Sequence, residues 1–204
     1  MTRTIGLTGG IACGKSTVAA LLRERGVPVL DLDQVARDVV APGQPALAEI
    51  AARWPAVVGP DGLDRKALGR IITADGEAKR ALEAITHPRI WEQMEAWITT
   101  QTAPCVIEAA LMVETGSYRR YDALIVVSCQ RETQLARLMT RNGISRAEAE
   151  TWLAAQMPVS EKEKVATAVV RNDGPPEALR EAVERVWGAV GQSPSQEAEH
   201  TSRV

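Results

Sequence analysis

The chain has 204 residues, a formal net charge of −2 and 45% hydrophobic residues, which suffices for one domain, or a core with insertions, that buries a large apolar interior. The nearly balanced charge argues against a broad nucleic-acid-binding surface, and no apolar run reaches the length of a membrane span. The N-terminus leads straight into a predicted strand, so we expect no signal peptide. Cys13, Cys105 and Cys129 lack metal-ligand spacing, and we expect three free thiols in a reducing cytoplasm.

A glycine-rich turn lies between the first predicted strand, residues 4–7, and the first predicted helix, residues 16–25. It reads Gly-Gly-Ile-Ala-Cys-Gly-Lys-Ser and matches the phosphate-binding pattern of two glycines, separated by four residues, followed by Lys and Ser. We expect Gly9 and Gly14 to allow positive φ angles and a close approach of the backbone to phosphate oxygens. The successive N–H groups would then point into one concavity at the N-terminus of the helix.

The side chains of this turn also suit a nucleoside triphosphate. Lys15 would supply a full positive charge to the β and γ phosphates, and the Ser16 hydroxyl could bind Mg²⁺. Cys13 stands at a variable position of the pattern, where a small residue suffices because only its backbone binds. A chance glycine-rich turn with an exposed lysine is the alternative, and the flanking strand and helix disfavour it.

Two acidic residues follow the second predicted strand, residues 27–30. Carboxylates at the carboxyl end of a strand in an α/β sheet lie at the edge where ligands bind. If the strand period continues, Asp31 and Asp33 face one way and Leu32 the other. Asp33 could instead cap the helix predicted over residues 34–40, and the sequence leaves both roles open.

Residues 42–100 show no strand signal, and we predict a helical insertion there, between two core segments over residues 1–41 and 101–190. Its pattern indicates helices over residues 46–54, 77–85 and 90–98, another helix capped by Asp64, and a loop over residues 55–62. We expect His87 and Pro88 to interrupt the helical pattern, because proline disfavours helical backbone in the residue before it. This corner is either a surface turn or part of an acceptor site that includes His87 and Arg89.

Three further strands are predicted, which makes an α/β fold with a five-stranded parallel sheet. They cover residues 105–107, ending in Glu108, residues 123–128 and residues 166–170. The apolar run of the middle one is typical of a parallel strand that is covered on both faces. A closing helix over residues 177–190 follows, and we expect the polar tail, residues 191–204, to be disordered.

Two polar helices between the last two strands resemble a hinged lid, assigned to residues 131–165. The first helix carries Arg137 and Arg141 on one stripe with Gln134, although a solvated surface helix is an equal alternative. A lid of this kind would bring positive charge over a transferred phosphate and exclude water.

The second lid helix begins with a capping-box pattern. Ser145 and Glu148 have the spacing in which each side chain bonds the backbone of the other residue, and the helix is predicted to continue to residue 157. The charged stretch over residues 161–164 follows, and we expect its lysines, Lys162 and Lys164, to be solvated.

The order of these motifs resembles the dephospho-coenzyme A kinase family over nearly all of residues 3–190. The phosphate loop alone is shared with many kinases and ATPases, whereas the other motifs are more specific in combination. Those motifs are Asp31-Leu32-Asp33, His87-Pro88, Glu108 with Leu111-Met112-Val113-Glu114, Arg137 with Arg141, Gln156, and Val170-Arg171-Asn172-Asp173-Gly174.

The chain departs from the family pattern at four places. The substituted positions are Ala12-Cys13 for the usual Gly-Ser, Leu32 for the usual Ala, Ala166-Thr167 for the usual Ala-Asp, and Trp152 for an arginine four residues before the lid glutamine. We therefore assign no catalytic arginine at Trp152. None of these changes removes Lys15, Ser16 or Asp33.

The resemblance implies the P-loop kinase fold with a helical acceptor-binding insertion and an arginine-bearing lid. It implies transfer of the γ-phosphoryl group of ATP to the 3′-hydroxyl of the ribose of dephospho-coenzyme A, the last step of coenzyme A synthesis. ATP would be the co-substrate and Mg²⁺ the metal ion. We expect a monomer in the cytoplasm, with no nucleic-acid or membrane partner, and leave an oligomer open.

The resemblance also implies the roles of the site residues. Asp33 would orient the acceptor hydroxyl, accept its proton and share Mg²⁺ with Ser16, while Lys15, Arg137 and Arg141 would stabilise phosphoryl charge. ATP contacts are assigned to Gly10, Ile11, Ala12, Cys13, Gly14, Lys15, Ser16, Thr17, Arg137, Asn172 and Gly174. Acceptor contacts are assigned to Thr8, Asp31, Asp33, His87, Arg89, Glu108 and Leu111. The sequence does not decide whether Glu108 or Glu114 touches the ligand.

Two other functions are alternatives. Another small-molecule kinase of the same fold, such as a nucleoside or nucleotide kinase, would share the loop, the lid and the sheet and differ in its acceptor. A nucleotide-dependent switch would hydrolyse nucleotide slowly and transfer nothing. A GTPase would need a guanine-reading Asn-Lys-x-Asp segment, which the sequence lacks.

Overall fold

The computed structural model describes residues 2–192, and its backbone forms two compact units. The first unit is the chain up to Leu30 together with the chain from Gln101 onward, and the second is Asp31–Thr100. All but the first two residues of the tail predicted to be disordered lie outside the described residues. Over residues 2–192, no helix combines the length and apolar character that crossing a membrane requires.

A five-stranded parallel sheet is present, as predicted. In chain order the strands are β1 (Thr4–Gly9), β2 (Val29–Asp31), β3 (Val58–Gly59), β4 (Gly62–Leu63), β5 (Cys105–Glu108), β6 (Ala123–Ser128) and β7 (Ala168–Arg171). The large sheet has the order β2-β5-β1-β6-β7, so β1 is central. Leu7 of β1 pairs with Glu108 of β5, which brings the end of β5 beside the start of the glycine-rich turn.

The described residues also form nine α-helices. They are α1 (Lys15–Glu24), α2 (Leu32–Asp38), α3 (Pro45–Arg53), α4 (Arg65–Ala74), α5 (Gly76–Thr99), α6 (Arg131–Asn142), α7 (Arg146–Ala154), α8 (Val159–Glu163) and α9 (Pro176–Val190). In the first unit, α1 and α9 pack their apolar sides against the sheet.

The main core of the first unit is built from alternate residues of the central strands, which share one face of the sheet. Ile5 and Leu7 of β1 pack with Ile125 of β6 and with Val18 and Leu22 of α1, all at most 1% exposed. Each fully buried side chain of this size contributes roughly 1.5–3 kcal/mol relative to exposure. This burial fixes the two segments, β1 and α1, that flank the glycine-rich turn.

The second unit is mostly helical, but the prediction that it contains no strand was wrong. Val58 pairs antiparallel with Leu63, and Gly59 with Gly62. The two residues between these strands, Pro60 and Asp61, together with Gly62 at φ 99°, form a tight turn. A positive φ at glycine is what a short hairpin needs, so the turn folds back two strands too short to show a periodic pattern.

The predicted interruption at His87 and Pro88 was also wrong, because α5 continues through both residues. Pro88 has no N–H and cannot donate to the carbonyl of Ala84 in the preceding turn. The guanidinium of Arg89 donates to the neighbouring carbonyl, that of Ile85, at 2.5 Å. This side-chain bond adds a donor in the same turn, next to the carbonyl that Pro88 leaves without its usual one.

The two predicted polar helices are present as α6 and α7. Gly143, at φ 64°, ends α6. Ser145 and Glu148 form the predicted capping box at the start of α7. The second helix is shorter than predicted and ends at Ala154, after which Pro158 precedes the separate helix α8.

Candidate functional site

The glycine-rich turn has a compact conformation between β1 and α1. Gly14 precedes α1 with φ 91°, and a Cβ there would lie 2.2 Å from Nδ2 of Asn172. Ala12 adopts φ 59°, the one positive value at a non-glycine residue among those described. The expected positive φ at Gly9 was wrong. Glycine is required there for space, since a Cβ would lie 2.6 Å from the carbonyl oxygen of Val127.

This turn forms the floor of a pocket of about 690 Å³ in the first unit. The lining residues come from the turn, the start of α1, the chain after β5, α6 and the segment after α7. They are Gly9, Gly10, Ile11, Ala12, Gly14, Lys15, Ser16, Thr17, Ala110, Ala136, Arg137, Thr140, Arg141 and Gln156. The structure thus brings together the predicted ATP-binding residues except Cys13, Asn172 and Gly174, which do not line the pocket.

Lys15 and Glu108 form an ion pair beside the pocket. Nζ of Lys15 lies 2.7 Å from Oε1 of Glu108, and Nη2 of Arg23 lies 3.5 Å from Oε2. The carboxylate is only 3% exposed, so these cations compensate a charge that would otherwise be costly to bury. Glu108, assigned to the acceptor from the resemblance, therefore holds the lysine that is expected to meet phosphate.

Asn172 supports the glycine-rich turn from its buried side. Its side chain is buried, and Nδ2 donates to the carbonyl of Cys13 at 2.8 Å. The backbone carbonyl of Asn172 accepts from Nη2 of Arg137 at 2.9 Å. Asn172 therefore holds the backbone of the turn, which the motif alone did not indicate.

Helix α6 contributes two side chains to the same turn. Nη1 of Arg137 lies 3.4 Å from the carbonyl oxygen of Ala12, and Nε2 of Gln134 donates to the carbonyl of Ile11 at 2.7 Å. No role was predicted for Gln134; its one signal in the sequence was the stripe it shares with Arg137 and Arg141. Arg141 is exposed and lines the pocket, so two guanidinium groups reach the site from this helix.

The Cys13 thiol points away from the pocket and is fully buried. Sγ of Cys129 lies 3.3 Å from Sγ of Cys13. The hydrogen bond from Cys129 lowers the pKa of Cys13 below its ordinary value, although burial opposes this shift. The same contact and burial raise the pKa of Cys129. Both thiols are unbridged, and the Cys13 backbone carbonyl is the part that meets Asn172.

Thr8 and Lys162 converge on one carbonyl at the edge of the pocket. The Thr8 hydroxyl donates to the carbonyl of Ala110 at 3.1 Å, and Nζ of Lys162 donates to it at 3.0 Å. The expectation that Lys162 is solvated was wrong, because its side chain is 0% exposed and paired with Glu114. The charged stretch over residues 161–164 thus includes one buried side chain, that of Lys162, which its charged neighbours did not indicate.

The two predicted acids, Asp31 at the end of β2 and Asp33 in α2, belong to the second unit. Oδ1 of Asp31 accepts from the backbone N–H groups of Asp33 and Gln34, at 2.8 and 3.2 Å, and caps α2. Asp33 lies in the first helical turn and is exposed. The expectation that both acids face one way along a strand was wrong, because the chain turns helical at Leu32. The capping role considered for Asp33 belongs to Asp31.

The remaining predicted acceptor residues are dispersed. In the second unit, His87 is exposed with its ring 6.0 Å from that of Trp91, and Arg89 pairs with Glu49 at 2.6 Å. In the first unit, Leu111 is 49% exposed. Gly174 lies in the turn before α9, where a Cβ would meet Ala178 at 3.4 Å.

The oxygen donors of the site fit a magnesium ion that arrives with a nucleotide. Across residues 2–192, no group of three or more His, Cys, Asp or Glu residues could hold a metal ion by itself. The exposed Ser16 side chain lines the pocket at the first turn of α1. Mg²⁺ commonly takes one or two protein oxygens and completes its shell with phosphate and water, which these residues allow.

Comparison with known proteins gives one family. The family model for dephospho-CoA kinase matches residues 3–177. The chain is similar to the dephospho-CoA kinase of Anaeromyxobacter dehalogenans, with 52% identity over 190 residues that cover 90% of each sequence. It is 48% identical to the dephospho-CoA kinase of Geobacter sulfurreducens over 189 residues, which cover 90% of this chain and 96% of the relative.

Solved structures share the fold. A crystal structure of a Thermus thermophilus protein is 37% identical with a TM-score of 0.83, and the match covers 94% of this chain and 99% of the other. The dephospho-CoA kinase from Campylobacter jejuni has 23% identity and a TM-score of 0.63, with the same coverage. A shikimate kinase from Bacteroides thetaiotaomicron, at 16% identity and a TM-score of 0.53, covers 93% and 99%. The last two show the fold alone, and the predicted P-loop kinase fold is confirmed.

Proposed function

Because the chain belongs to the dephospho-CoA kinase family, we propose that it phosphorylates the 3′-hydroxyl of the ribose of dephospho-coenzyme A. ATP is the phosphoryl donor, and the products are coenzyme A and ADP. The observation that carries the proposal is the pocket on the glycine-rich turn, within a chain that matches the family model from residue 3 to residue 177.

The turn and the start of α1 are proposed to hold the triphosphate of ATP. Backbone N–H groups of residues 10–17 and the N-terminus of α1 favour anions at this place. Lys15 lines the pocket, and its pairing with Glu108 holds its ammonium close to the turn. Arg137 and Arg141 add positive charge from α6, where it would stabilise the phosphoryl oxygens during transfer. Asn172 and Gly174 remain proposed neighbours of the adenine, with Asn172 acting through the backbone that it supports.

Asp33 is proposed as the base that accepts the hydroxyl proton. The acceptor oxygen forms a bond to the γ-phosphorus, the bond from that phosphorus to the β–γ bridging oxygen breaks, and ADP leaves. The proton of the hydroxyl passes to the carboxylate of Asp33. Asp33 is exposed in the first turn of α2, and Asp31 fixes that turn through two backbone hydrogen bonds.

Ser16 and Asp33 are the residues we propose for Mg²⁺. Both offer exposed oxygen atoms, which suit a hard divalent cation. When bound, the ion neutralises negative charge on the β- and γ-phosphate oxygens. Thr8, Asp31, His87, Arg89, Glu108 and Leu111 remain the proposed acceptor contacts. The buried positions of Thr8 and Glu108 favour an indirect role for those two.

We also propose a monomer that acts in the reducing cytoplasm without nucleic-acid or membrane partners. The net charge of −2 argues against a nucleic-acid partner, and the three unbridged cysteines suit a reducing compartment. Light scattering during gel filtration would test the oligomeric state.

The activity is tested by incubating the purified chain with Mg-ATP and dephospho-coenzyme A and detecting coenzyme A by mass. Shikimate, a nucleoside and a nucleoside monophosphate serve as control acceptors under the same conditions. Formation of coenzyme A, with ADP in equal amount, is expected. Phosphorylation of a control acceptor instead would identify another kinase, and ADP without any phosphorylated acceptor would favour a nucleotide-dependent switch.

A further inference from the structure

Lys162 is a fully buried lysine whose ammonium has three acceptors. Its side chain is 0% exposed, and Nζ lies 2.8 Å from Oε1 of Glu114, 3.0 Å from the carbonyl oxygen of Ala110 and 3.2 Å from that of Gly9. An ammonium has three N–H donors; two of them bond the carbonyls, and Glu114 lies within ion-pair distance. Two of the three acceptors belong to backbone that lines the nucleotide pocket.

The first of these contacts fixes the peptide that begins the glycine-rich turn. The carbonyl of Gly9 accepts from Lys162, and the N–H of the same peptide group, on Gly10, donates to the carbonyl of Val127 at 3.3 Å. Both polar ends of one peptide plane are therefore held. The orientation of one peptide plane constrains the position of the next. The contact between Lys162 and the Gly9 carbonyl therefore helps to orient the amides that follow in the turn.

The second contact braces the opposite segment of backbone. The carbonyl of Ala110 accepts from Lys162 and from the Thr8 hydroxyl. Ala110 follows Glu108 closely in the chain, and Glu108 holds Lys15 at 2.7 Å. One ammonium thus joins the start of the turn to the segment that positions the phosphate-binding lysine.

Glu114 supplies the compensating charge. Its two carboxylate oxygens are buried and, among the described residues, have no hydrogen bond of good geometry, yet Oε1 lies within ion-pair distance of Lys162. A buried ammonium requires such a partner. The carboxylate therefore neutralises Lys162, while the directional bonds of the lysine go to the two carbonyls.

We propose that Lys162 is a positioning residue for phosphoryl transfer, which acts by holding the Gly9–Gly10 peptide and the Ala110 segment in the geometry that binds ATP. The proposal rests on the kinase function above. Lys162 acts through backbone and does not itself meet the phosphates. Displacement of aligned groups by about 1 Å can cost about 10²-fold in rate, so we expect a loss of about 10- to 100-fold in kcat/KM for ATP.

A purely structural role makes a different prediction. Buried ion pairs can often be replaced by apolar residues of similar volume without loss of stability, whereas removal of one partner alone is destabilising. If Lys162 only fills space and neutralises Glu114, the double variant Lys162→Met/Glu114→Leu should recover both stability and activity. If Lys162 positions backbone, the double variant should recover only the stability lost to the uncompensated Glu114 charge, because the Gly9 and Ala110 carbonyls still lack their donor.

The experiment compares wild type, Lys162→Met, the double variant and the control Lys164→Met. Lys164 directly follows the same short helix, is 67% exposed and pairs with Glu161 at the surface. Thermal unfolding without ligand, the Kd of Mg-ATP by calorimetry, and kcat and KM for both substrates are measured for each. We expect the double variant to be more stable than Lys162→Met, to unfold below the wild-type temperature because two carbonyls lack their donor, and to bind Mg-ATP about tenfold more weakly. Lys164→Met should match wild type in every readout.

Recovery of Mg-ATP affinity and kcat/KM together with stability in the double variant would overturn the proposal. Wild-type values in folded Lys162→Met would also overturn it, and so would failure of both Lys162 variants to fold, because the lysine would then be required for folding itself. Nucleotide binding separates this proposal from the assigned reaction. If wild type binds Mg-ATP but makes no coenzyme A, the function is wrong while the binding data still test Lys162.

Discussion

The side-chain amide of Asn172, just after the last strand, donates to the carbonyl of Cys13 in the glycine-rich turn at 2.8 Å, across 159 positions of sequence. The amide lies where a Cβ on Gly14 would be, 2.2 Å from that position. The bond therefore requires a glycine at position 14. Asn172, which follows the edge strand β7, thus helps the turn to keep its shape.

Replacement of Asn172 by Ala should lower both stability and nucleotide affinity. The Cys13 carbonyl would lose its donor in a buried place, which typically costs about 1–3 kcal/mol. Urea unfolding and an Mg-ATP titration measure the two effects. Thr99→Ala is the control, because the Thr99 hydroxyl bonds an exposed carbonyl of its own helix that water can satisfy. A free energy of unfolding unchanged in Asn172→Ala would contradict the supporting role.

Replacement of Lys15 by Ala should nearly abolish turnover and also destabilise the fold. Glu108 is 3% exposed and would keep only Arg23 at 3.5 Å as a cation, so a loss of about 1–3 kcal/mol is expected. Adding Glu108→Gln removes the uncompensated charge and should restore part of the stability. It should not restore turnover, because the phosphates still lack Lys15. Steady-state kinetics and urea unfolding of both variants test this. Activity in the double variant Lys15→Ala/Glu108→Gln would refute the role of the lysine.

Asp33→Asn should reduce kcat by about 10²–10⁴, the usual contribution of a positioned base. The fold should be unchanged, since Asp33 is exposed and its backbone N–H still donates to Asp31. Asp38→Asn is a matched control at the other end of α2, where Oδ1 of Asp38 accepts from Gln34 at 2.8 Å. Circular dichroism and coenzyme A formation are measured for both. Equal turnover in the two variants would exclude Asp33 as the base.

The sheet and the phosphate-binding turn were predictable because their signals are local. An apolar run such as residues 123–128 indicates a buried strand, and the glycine spacing with Lys15 indicates an anion site. The helix through Pro88 was not predictable from the residue pair alone. Pro88 and the residue before it lie inside a 24-residue helix, so the tertiary context overrides the local preference of proline there.

The residues that hold the backbone of the site, Lys162 and Asn172, could not be predicted from the sequence. Lys162 stands in a charged run that reads as solvated, and its burial depends on Glu114 and on carbonyls more than 50 positions away. Asn172 was placed beside the adenine because of a motif, whereas its side chain holds Cys13. Such roles depend on which tertiary partners a side chain meets, and neither periodicity nor spacing contains that information.

Cys105 should make stability depend on pH in the alkaline range. The thiol is 0% exposed, and burial, with a smaller contribution from Asp122, raises its pKa from 9.0 to about 11. The unfolded thiol loses its proton at lower pH than the folded one, so this contribution to stability is full below pH 9.0 and is lost as the pH rises to about 11. The loss is at most about 1.4 kcal/mol per pH unit.

Urea unfolding of wild type and Cys105→Ala across this range isolates the effect, because all other titrating groups are common to both proteins. The difference between their free energies of unfolding should shift against wild type above pH 9.0, and parallel pH curves would show that the buried thiol ionises as readily as a free one.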